Sequence, residues 1–394
     1  MLAFEMVHSL MGGRMIKRVI NNTNRFFGAL VLTIVCLGGF NPASGFASTQ
    51  TLTVLGRSEL HEAMAFHDGF LWVGKSRTQM GSINNLEIYN REHQKVESLT
   101  LSHSLTYITP YGPHSVVVVG TASKPNLTHY TIVENRNGRF FLRDRTIEVG
   151  WANHWIGSLG GREYFTDMGG NPDDPEASEH PTIPAQTFFS VGASGLAKYL
   201  PVRLRMPFGG VRVGSAFYVL QGQGIGNPRT NLVRLNVASN SVQPLFPSYR
   251  NDLTKIIEIP GSNMVAVNES GAGQLLVVDV QKSTLLSTTP VGGSLRSLTS
   301  MGRCILVASD EARTITAVDI RQPSQTKVVG VVPINLDSNS FKMLNKIVAD
   351  SQSGRLYARS NFPCNPMITV CDKDFNRVVY FEGTEAEKVA NSCR

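Results

Sequence analysis

Short runs of β-branched and aromatic residues alternate with glycine-bearing turns along the chain from residue 50 onward. The runs include residues 70–73 (FLWV), 116–119 (VVVV) and 305–308 (ILVA), and tight turns such as 67–69 (HDG) and 301–303 (MGR) precede them. Glycine turns between β-rich runs predict antiparallel hairpins. No long helix is predicted before the last dozen residues, so the fold class is all-β.

One further strand-like run recurs about every 45 residues, always after a predicted hairpin. The seven copies are 85–90 (NLEIYN), 128–133 (THYTIV), 187–191 (TFFSV), 231–236 (NLVRLN), 274–279 (QLLVVD), 314–319 (TITAVD) and 367–372 (MITVCD). Four short strands per unit at this period predict a seven-bladed β-propeller of four-stranded antiparallel blades, with each copy as a third strand. A solenoid or a stack of sandwiches is the alternative.

The predicted blades follow one another without long linkers. Their bounds are 58–103, 104–150, 151–203, 204–249, 250–294, 295–340 and 341–382. Residues 377–381 (RVVYF) are predicted to be the fourth strand of the last blade, and residues 50–55 (QTLTVL) to add a strand to it. That addition would close the ring and leave no bare sheet edge at the junction.

Most copies of the third strand end in Asp or Asn, as at Asp279 and Asp319. This pattern resembles the YVTN-type and quinoprotein amine dehydrogenase-like propellers of exported bacterial proteins, over roughly residues 50–382. The resemblance implies the fold alone. In the amine dehydrogenase-like case it implies a subunit that carries no cofactor and serves a separate catalytic chain. Function has to be argued from sites, because this architecture hosts many functions.

The first 47 residues have the layout of a secretory signal, with a basic stretch around Lys17 and Arg18 followed by a 15-residue apolar run, 26–40. We expect cleavage near Ala47 and a periplasmic or secreted protein; an uncleaved N-terminal anchor is the alternative. The predicted domains are thus 1–47, the propeller 48–382 and a tail 383–394. Removal of the first segment takes four basic residues and one acidic residue, and the net charge falls from +7 to +4. This value is too low to favour nucleic acid, and no second apolar run reaches membrane length.

Four cysteines follow the signal segment: Cys304, Cys364, Cys371 and Cys393. An exported chain permits two disulfides among them, and the pairing stays open. Cys364 and Cys371 are close in sequence, and Cys393 could fix the tail. The alternative is buried free thiols, above all for Cys304 within an apolar run.

Loops between second and third strands share one face of a propeller with the connections between blades, and here these loops are the longer ones. Long loops on a rigid scaffold commonly carry binding. The predicted ligand-binding residues on this long-loop face and at the channel mouth are Lys75, Arg77, His103, Trp151, His154, Trp155, Arg229, Arg250, Arg296 and Lys342. Their cations and aromatic rings fit an anionic or carbohydrate ligand. Mutual ion pairs that only solvate the channel are the alternative.

No catalytic residue, metal site or cofactor is predicted. The chain lacks a G-x-S-x-G nucleophile elbow, and the oxygen-rich loop 167–180 does not have the spacing of a calcium loop. We therefore expect a non-catalytic scaffold that recognises a protein, peptide or glycan partner. The alternatives are a propeller enzyme of the lactonase or lyase type, the scaffold subunit of an amine dehydrogenase-like enzyme, and a structural component of an envelope assembly.

Overall fold

The structure is a computed structural model that describes residues 53–57, 63–75, 85–103, 105, 107–121, 128–147, 152–167, 188–194, 197–202, 204, 207–222, 229–334, 344–360, 377–381 and 383–394. Strands dominate these ranges, and they form seven separate antiparallel sheets. Within them, no helix has both the length and the apolar character that crossing a bilayer would require.

Blades 1 to 3 each contain four strands that follow one another in sequence from the inside to the outside. Blade 1 comprises β2 (Met64–His67), β3 (Phe70–Lys75), β4 (Asn85–Tyr89) and β5 (Lys95–Thr100). Blade 2 comprises β6 (Tyr107–Tyr111), β7 (Ser115–Thr121), β8 (Thr128–Arg136) and β9 (Arg139–Ile147). Blade 3 comprises β10 (Ala152–Leu159), β11 (Arg162–Asp167), β12 (Phe188–Val191) and β13 (Ala197–Tyr199).

Blades 4 to 6 repeat this order. Blade 4 comprises β14 (Pro207–Val213), β15 (Ala216–Gly222), β16 (Arg229–Asn236) and β17 (Ser241–Pro244), with the short β18 (Arg250–Asn251) also paired to β16. Blade 5 comprises β19 (Leu253–Ile259), β20 (Met264–Glu269), β21 (Gln274–Asp279) and β22 (Thr284–Pro290), with a 3₁₀ turn at Ser270–Ala272. Blade 6 comprises β23 (Leu295–Met301), β24 (Cys304–Ser309), β25 (Thr314–Asp319) and β26 (Lys327–Pro333).

Blade 7 is built from both ends of the described chain. It comprises β27 (Leu344–Asp350), β28 (Arg355–Ser360), β29 (Arg377–Phe381) and, as its outer strand, β1 (Thr53–Arg57). The prediction that the N-terminal strand closes the ring is confirmed. The prediction that 377–381 forms the fourth strand is wrong, because β29 pairs directly with β28 and is the third strand. The predicted third strand, 367–372, lies outside the described residues.

The seven first strands contact one another in a closed circle, from β2 through β6, β10, β14, β19, β23 and β27 back to β2. The apolar core lies between the blades. Seven clusters of buried side chains occur in the described residues, and each joins two neighbouring blades. Second strands such as β7 and β24 read as continuous apolar runs because both of their faces are covered. The predicted seven-bladed propeller is therefore confirmed.

A helix, α1 (Thr384–Cys393), follows blade 7 and packs against β26, with further contacts to β25 and β28. Its buried face joins the core cluster between blades 6 and 7 through Ala386, Val389 and Ala390. A disulfide links Cys393 to Cys304 at the start of β24. The disulfide confirms the prediction that Cys393 fixes the tail, and Cys304 is therefore not a free thiol. Cys364 and Cys371 lie outside the described residues.

Candidate functional site

The central channel holds a cavity of about 990 Å³ lined by residues of all seven first strands. The lining includes the ends of these strands and parts of the turns that follow, such as Gly112, Pro260 and Ser351, so the cavity opens on the face of the hairpin turns. A smaller space of about 70 Å³ is lined by residues earlier in the same strands, nearer the connections between blades. The two spaces share the lining residues Tyr107, Gly210 and Lys346.

Glycines bring the wall strands of blades 3 and 4 close together. A Cβ on Gly157 would lie 2.8 Å from the Cβ of Arg212. A Cβ on Gly210 would lie 3.2 Å from Cγ2 of Ile156 in β10 and 2.8 Å from the backbone oxygen of Tyr218 in its own blade. Any larger residue at these positions would push β10 or β14 outward. The two glycines consequently set the width of this side of the channel.

A hydrogen-bonded carboxylate fixes the aromatic part of the wall. Glu163 on β11 accepts hydrogen bonds from Trp155 Nε1 (2.6 Å), Ser158 Oγ (2.7 Å) and Tyr111 OH (2.8 Å). Burial, reinforced by the hydrogen bond to Glu163, raises the pKa of Tyr111. A carboxylate with three donors is an orienting group. It holds the rings of Tyr111 and Trp155, whose centroids are 5.6 Å apart, against the cavity.

The narrower part of the channel is basic. Lys255, Lys346 and His154 line it, and they come from blades 5, 7 and 3. The Lys346 ammonium lies 5.4 Å from the ring centroid of Tyr107, and the Tyr107 ring lies 5.2 Å from that of His154. Lys346 thus sits over an aromatic ring, in the arrangement of a cation–π contact. This end of the channel can attract an anionic group.

The wider cavity is lined by one carboxylate and two cations, of which Lys346 also lines the narrower part. Glu258 on β19 and Arg212 on β14 both line the cavity. Burial raises the pKa of Glu258, and the nearby Arg212 guanidinium opposes that rise. Among the lining residues that the structure describes, Glu258 is the one carboxylate, against Arg212, Lys255 and Lys346. The described channel is therefore cationic.

The structure places three of the predicted ligand-binding residues away from an open channel position. His103 is buried between blades 1 and 2, where its Nε2 lies 2.7 Å from Thr131 Oγ1. Arg250 binds Glu269 through two contacts of 2.6 and 3.0 Å, and Arg296 binds Asp310 at 2.8 Å. Arg250 lies in β18, before the first strand of blade 5, and Arg296 lies in the first strand of blade 6. Both are held in ion pairs with carboxylates outside the predicted set.

Of the other predicted residues, Trp155 and His154 lie in the channel wall, and Arg229 is exposed at the start of β16. Lys75 ends β3. Arg77, Trp151 and Lys342 lie outside the described residues, as do most of the long loops. Sequence reasoning missed Tyr107, Tyr111, Arg212, Lys255 and Lys346. The sequence feature that could have identified them is their position in the first strand of a blade, because these strands surround the axis.

The Asp and Asn residues that end the third strands have a local role. Asp279 Oδ1 accepts from the backbone N–H of Gln281 (3.1 Å) and Lys282 (2.9 Å), and Asp319 Oδ1 accepts from Arg321 N (2.9 Å). Asn90, Asn135 and Asn236 cap their turns in the same way. This is the Asx turn that favours Asp and Asn before a reversal. The recurring residues therefore shape the outer hairpins and do not form a site.

Side chains suited to hold a metal ion do not gather in the described parts of the chain: no group of three or more His, Cys, Asp or Glu has the required proximity there. His103 and His154 are separated, one in the seam between blades and the other in the channel. His61, which precedes blade 1, lies outside the described ranges, and so does most of the loop 167–180.

Comparison with known proteins finds the fold and no family. No family model and no curated protein matches the chain. Among solved structures, it is similar to Kuenenia stuttgartiensis hydrazine synthase, with 10% identity, a TM-score of 0.53, and coverage of 80% of this chain and 95% of that one. A chain of the mitotic checkpoint complex has 9% identity and a TM-score of 0.56, with coverage of 91% of this chain and 99% of that one. The WD40 repeats of RRP9 have 9% identity and a TM-score of 0.55, with coverage of 85% of this chain and 98% of that one. The chain therefore has the fold of WD40-like propellers.

Proposed function

We propose that the chain is an exported, non-catalytic binding scaffold that receives an anionic segment of a protein, peptide or glycan partner in its central channel, whose smaller space lies toward the long-loop face. The observation that carries this proposal is the composition of the channel. Aromatic rings held by Glu163 line the open cavity of about 990 Å³ together with Arg212 and Lys346, and Lys255 lines the adjoining space of about 70 Å³. Aromatic and cationic side chains together favour carboxylate-bearing or sugar ligands.

A scaffold accounts for the channel better than an enzyme does. An acid–base site needs titratable groups in mutual reach with shifted pKa values. Of the acidic groups near the cavity, Glu163 is occupied by three donors, and Glu258 lies within the influence of Arg212. Export is supported by the basic stretch and the apolar run within residues 1–47. Membership of the YVTN-type group is supported by the third-strand pattern. Both belong to the proposal.

Binding of defined anionic probes tests the proposal. The probes are a labelled oligogalacturonate, a labelled oligoglutamate peptide and a neutral dextran of matched length. We expect both anionic probes to bind the wild-type chain and to quench tryptophan fluorescence through Trp155, while the dextran does not bind. Because the attraction is electrostatic, raised salt should weaken it. Lys255→Glu with Lys346→Glu should weaken it about tenfold or more.

The matched control is Lys198→Glu with Lys327→Glu, which makes the same change in charge on outer strands of blades 3 and 6. The control should bind like the wild type. Equal weakening in both variants would show a diffuse charge effect, and no effect in the channel variant would end the proposal. Circular dichroism of all variants separates lost binding from lost folding.

A further inference from the structure

Every blade ends in an outer strand whose far edge has no neighbour among the described strands. Open edges pair readily with other chains, and proteins protect them by short strands, irregular registers, prolines or a covering element. Six of the seven outer strands here show such protection: β1, β5, β22 and β26 have register irregularities in their pairing, β13 has three residues, and β17 has four and ends at Pro244.

The outer strand of blade 2 shows none of these devices. β9 has nine residues without proline, and its pairing with β8 is regular from Thr128 opposite Ile147 to Arg136 opposite Arg139. The next outer strand, β13, is only three residues long. Among the described residues, the side of β9 that faces blade 3 is therefore poorly covered, and Phe141 on this side is 42% exposed. Leu142, on the opposite side of the strand, is 37% exposed.

Side chains on the blade 3 side of β9 form a row of arginine, phenylalanine and arginine. Arg143 is paired with Ile132, a member of the core cluster between blades 2 and 3, and successive odd positions share a side. Arg139, Phe141 and Arg143 thus lie along one side, while Phe140 turns toward Trp72 of blade 1.

The nearby acidic groups are already engaged. Glu134 is bound to Arg136 at 2.8 Å, and the Asp144 carboxylate accepts a hydrogen bond from Thr131. Glu134 is also close enough to Arg143 for that guanidinium to help lower the pKa of Glu134, and the Arg136 guanidinium lies 4.9 Å from the ring centroid of Phe141. This side of the edge therefore presents three arginines around Phe141 against one carboxylate, Glu134.

We propose that β9 is a docking edge, distinct from the channel, for an extended acidic segment of another protein that adds to blade 2 as a fifth strand. Backbone N–H and C=O groups of the open edge would supply affinity, and alternate side chains would supply specificity. The fitting pattern is Asp or Glu, any residue, an apolar residue, any residue, Asp or Glu. This places carboxylates beside Arg139 and Arg143 and the apolar residue on Phe141.

A second copy of this chain fits the edge less well. Antiparallel pairing of two β9 strands about Phe141 would set Arg139 of each copy opposite Arg143 of the other. Like charges directly opposite each other destabilise a strand pair. The charge on the strand therefore favours an acidic partner.

A nine-residue peptide with the sequence TTETLTETT tests the edge, beside a control peptide in which lysine replaces both glutamates. We expect the glutamate peptide to bind the full chain and to protect the amides of β9 from hydrogen exchange. Arg139→Glu with Arg143→Glu should weaken this binding at least tenfold and should favour the lysine peptide instead. Lys198→Glu with Lys327→Glu should leave it unchanged.

Three results would overturn the proposal. They are the absence of binding by the glutamate peptide at about 1 mM, protection located outside β9, and equal binding to the Arg139→Glu, Arg143→Glu variant. Dimerisation of the peptide-free chain that Phe141→Ser abolishes would assign the edge to a second copy. The channel variant Lys255→Glu, Lys346→Glu should keep peptide protection at β9, so failure of this site and failure of the channel proposal remain distinguishable.

Discussion

Blades 6 and 2 share one strand order but finish at their outer edges in opposite ways. In blade 6, β26 has an irregular register and ends at Pro333, and α1 packs against it under the Cys304–Cys393 disulfide. In blade 2, β9 runs straight for nine residues beside a three-residue neighbour. Blade 6 exposes Val328 and Val331, so exposed apolar side chains alone do not separate the two blades.

The contrast lies in the backbone. Where the register is broken and a helix is fastened to the strand, an incoming chain cannot form a continuous ladder. Where the register is regular, an incoming chain can form a continuous ladder. Equivalent positions of a repeat protein can therefore be specialised separately, with one edge closed for stability and another kept open for association.

The largest expected effect concerns the fastening of blade 6. Cys304→Ala with Cys393→Ala should lower the free energy of unfolding by about 4 kcal/mol, because the bond closes a long loop in the unfolded chain. Urea denaturation monitored by circular dichroism measures it. Each single variant should lose nearly as much as the pair. An unchanged midpoint in all three would show that the bond does not stabilise the blade.

The two neighbouring phenylalanines of β9 should differ sharply. Phe140 makes edge-to-face contacts with Trp72 (5.3 Å) and Phe70 (5.4 Å), whereas Phe141 is exposed. Phe140→Ala should therefore cost about 3 kcal/mol and Phe141→Ala less than about 1 kcal/mol, both by urea denaturation. Equal losses would mean that Phe141 is part of the core, and the open edge would lose its basis.

The contact of α1 with blade 6 depends on a glycine. A Cβ at Gly302 would collide with the backbone oxygen of Cys393, and Gly302 has a φ of +54°. Gly214 has a similar φ of +61° with no atom within 4 Å, so Gly214→Ala is the matched control for backbone strain alone. We expect Gly302→Ala to lower the free energy of unfolding by about 2 kcal/mol more than Gly214→Ala does. Equal losses would argue against close docking of the helix.

The smallest effect is pH-dependent. Hydrogen bonds from Arg321 hold the pKa of Asp319 below the ordinary value of 3.8 in the folded state. This interaction therefore stabilises the fold above about pH 4 and is lost as the pH falls through the lowered pKa. The gap in unfolding midpoint between wild type and Asp319→Asn should close from pH 7 to pH 3. A gap of constant size would contradict the assignment. Glu134→Gln, at the exposed end of β8, should show a smaller gap.

Periodicity predicted the ring, because each blade repeats the same alternation of apolar runs and glycine turns. It failed in blade 7, where 367–372 and 377–381 both have the apolar pattern of a third strand. Residues 377–381 pair directly with β28, and that pairing is not encoded in local sequence.

The site was harder to predict because neighbouring residues in a strand face opposite ways. His103 and His154 both precede or begin a blade, yet one packs under Thr131 and the other lines the channel. The ion pairs of Arg250 and Arg296 depend on residues 19 and 14 positions away, respectively, brought together by a hairpin. The Cys304–Cys393 bond spans 89 positions and requires the docked helix.

The pairing of Thr53 with Tyr380 has a consequence for how the molecule comes into being. In a chain synthesised from its N-terminus, six whole blades are made before β29, the strand that pairs with β1. Until then, the incomplete ring is held by neighbouring sheets alone. The entropy of joining such distant segments grows only with the logarithm of their separation, so the delay falls on folding rate more than on final stability. Nascent chains should thus remain open until β29 has been synthesised.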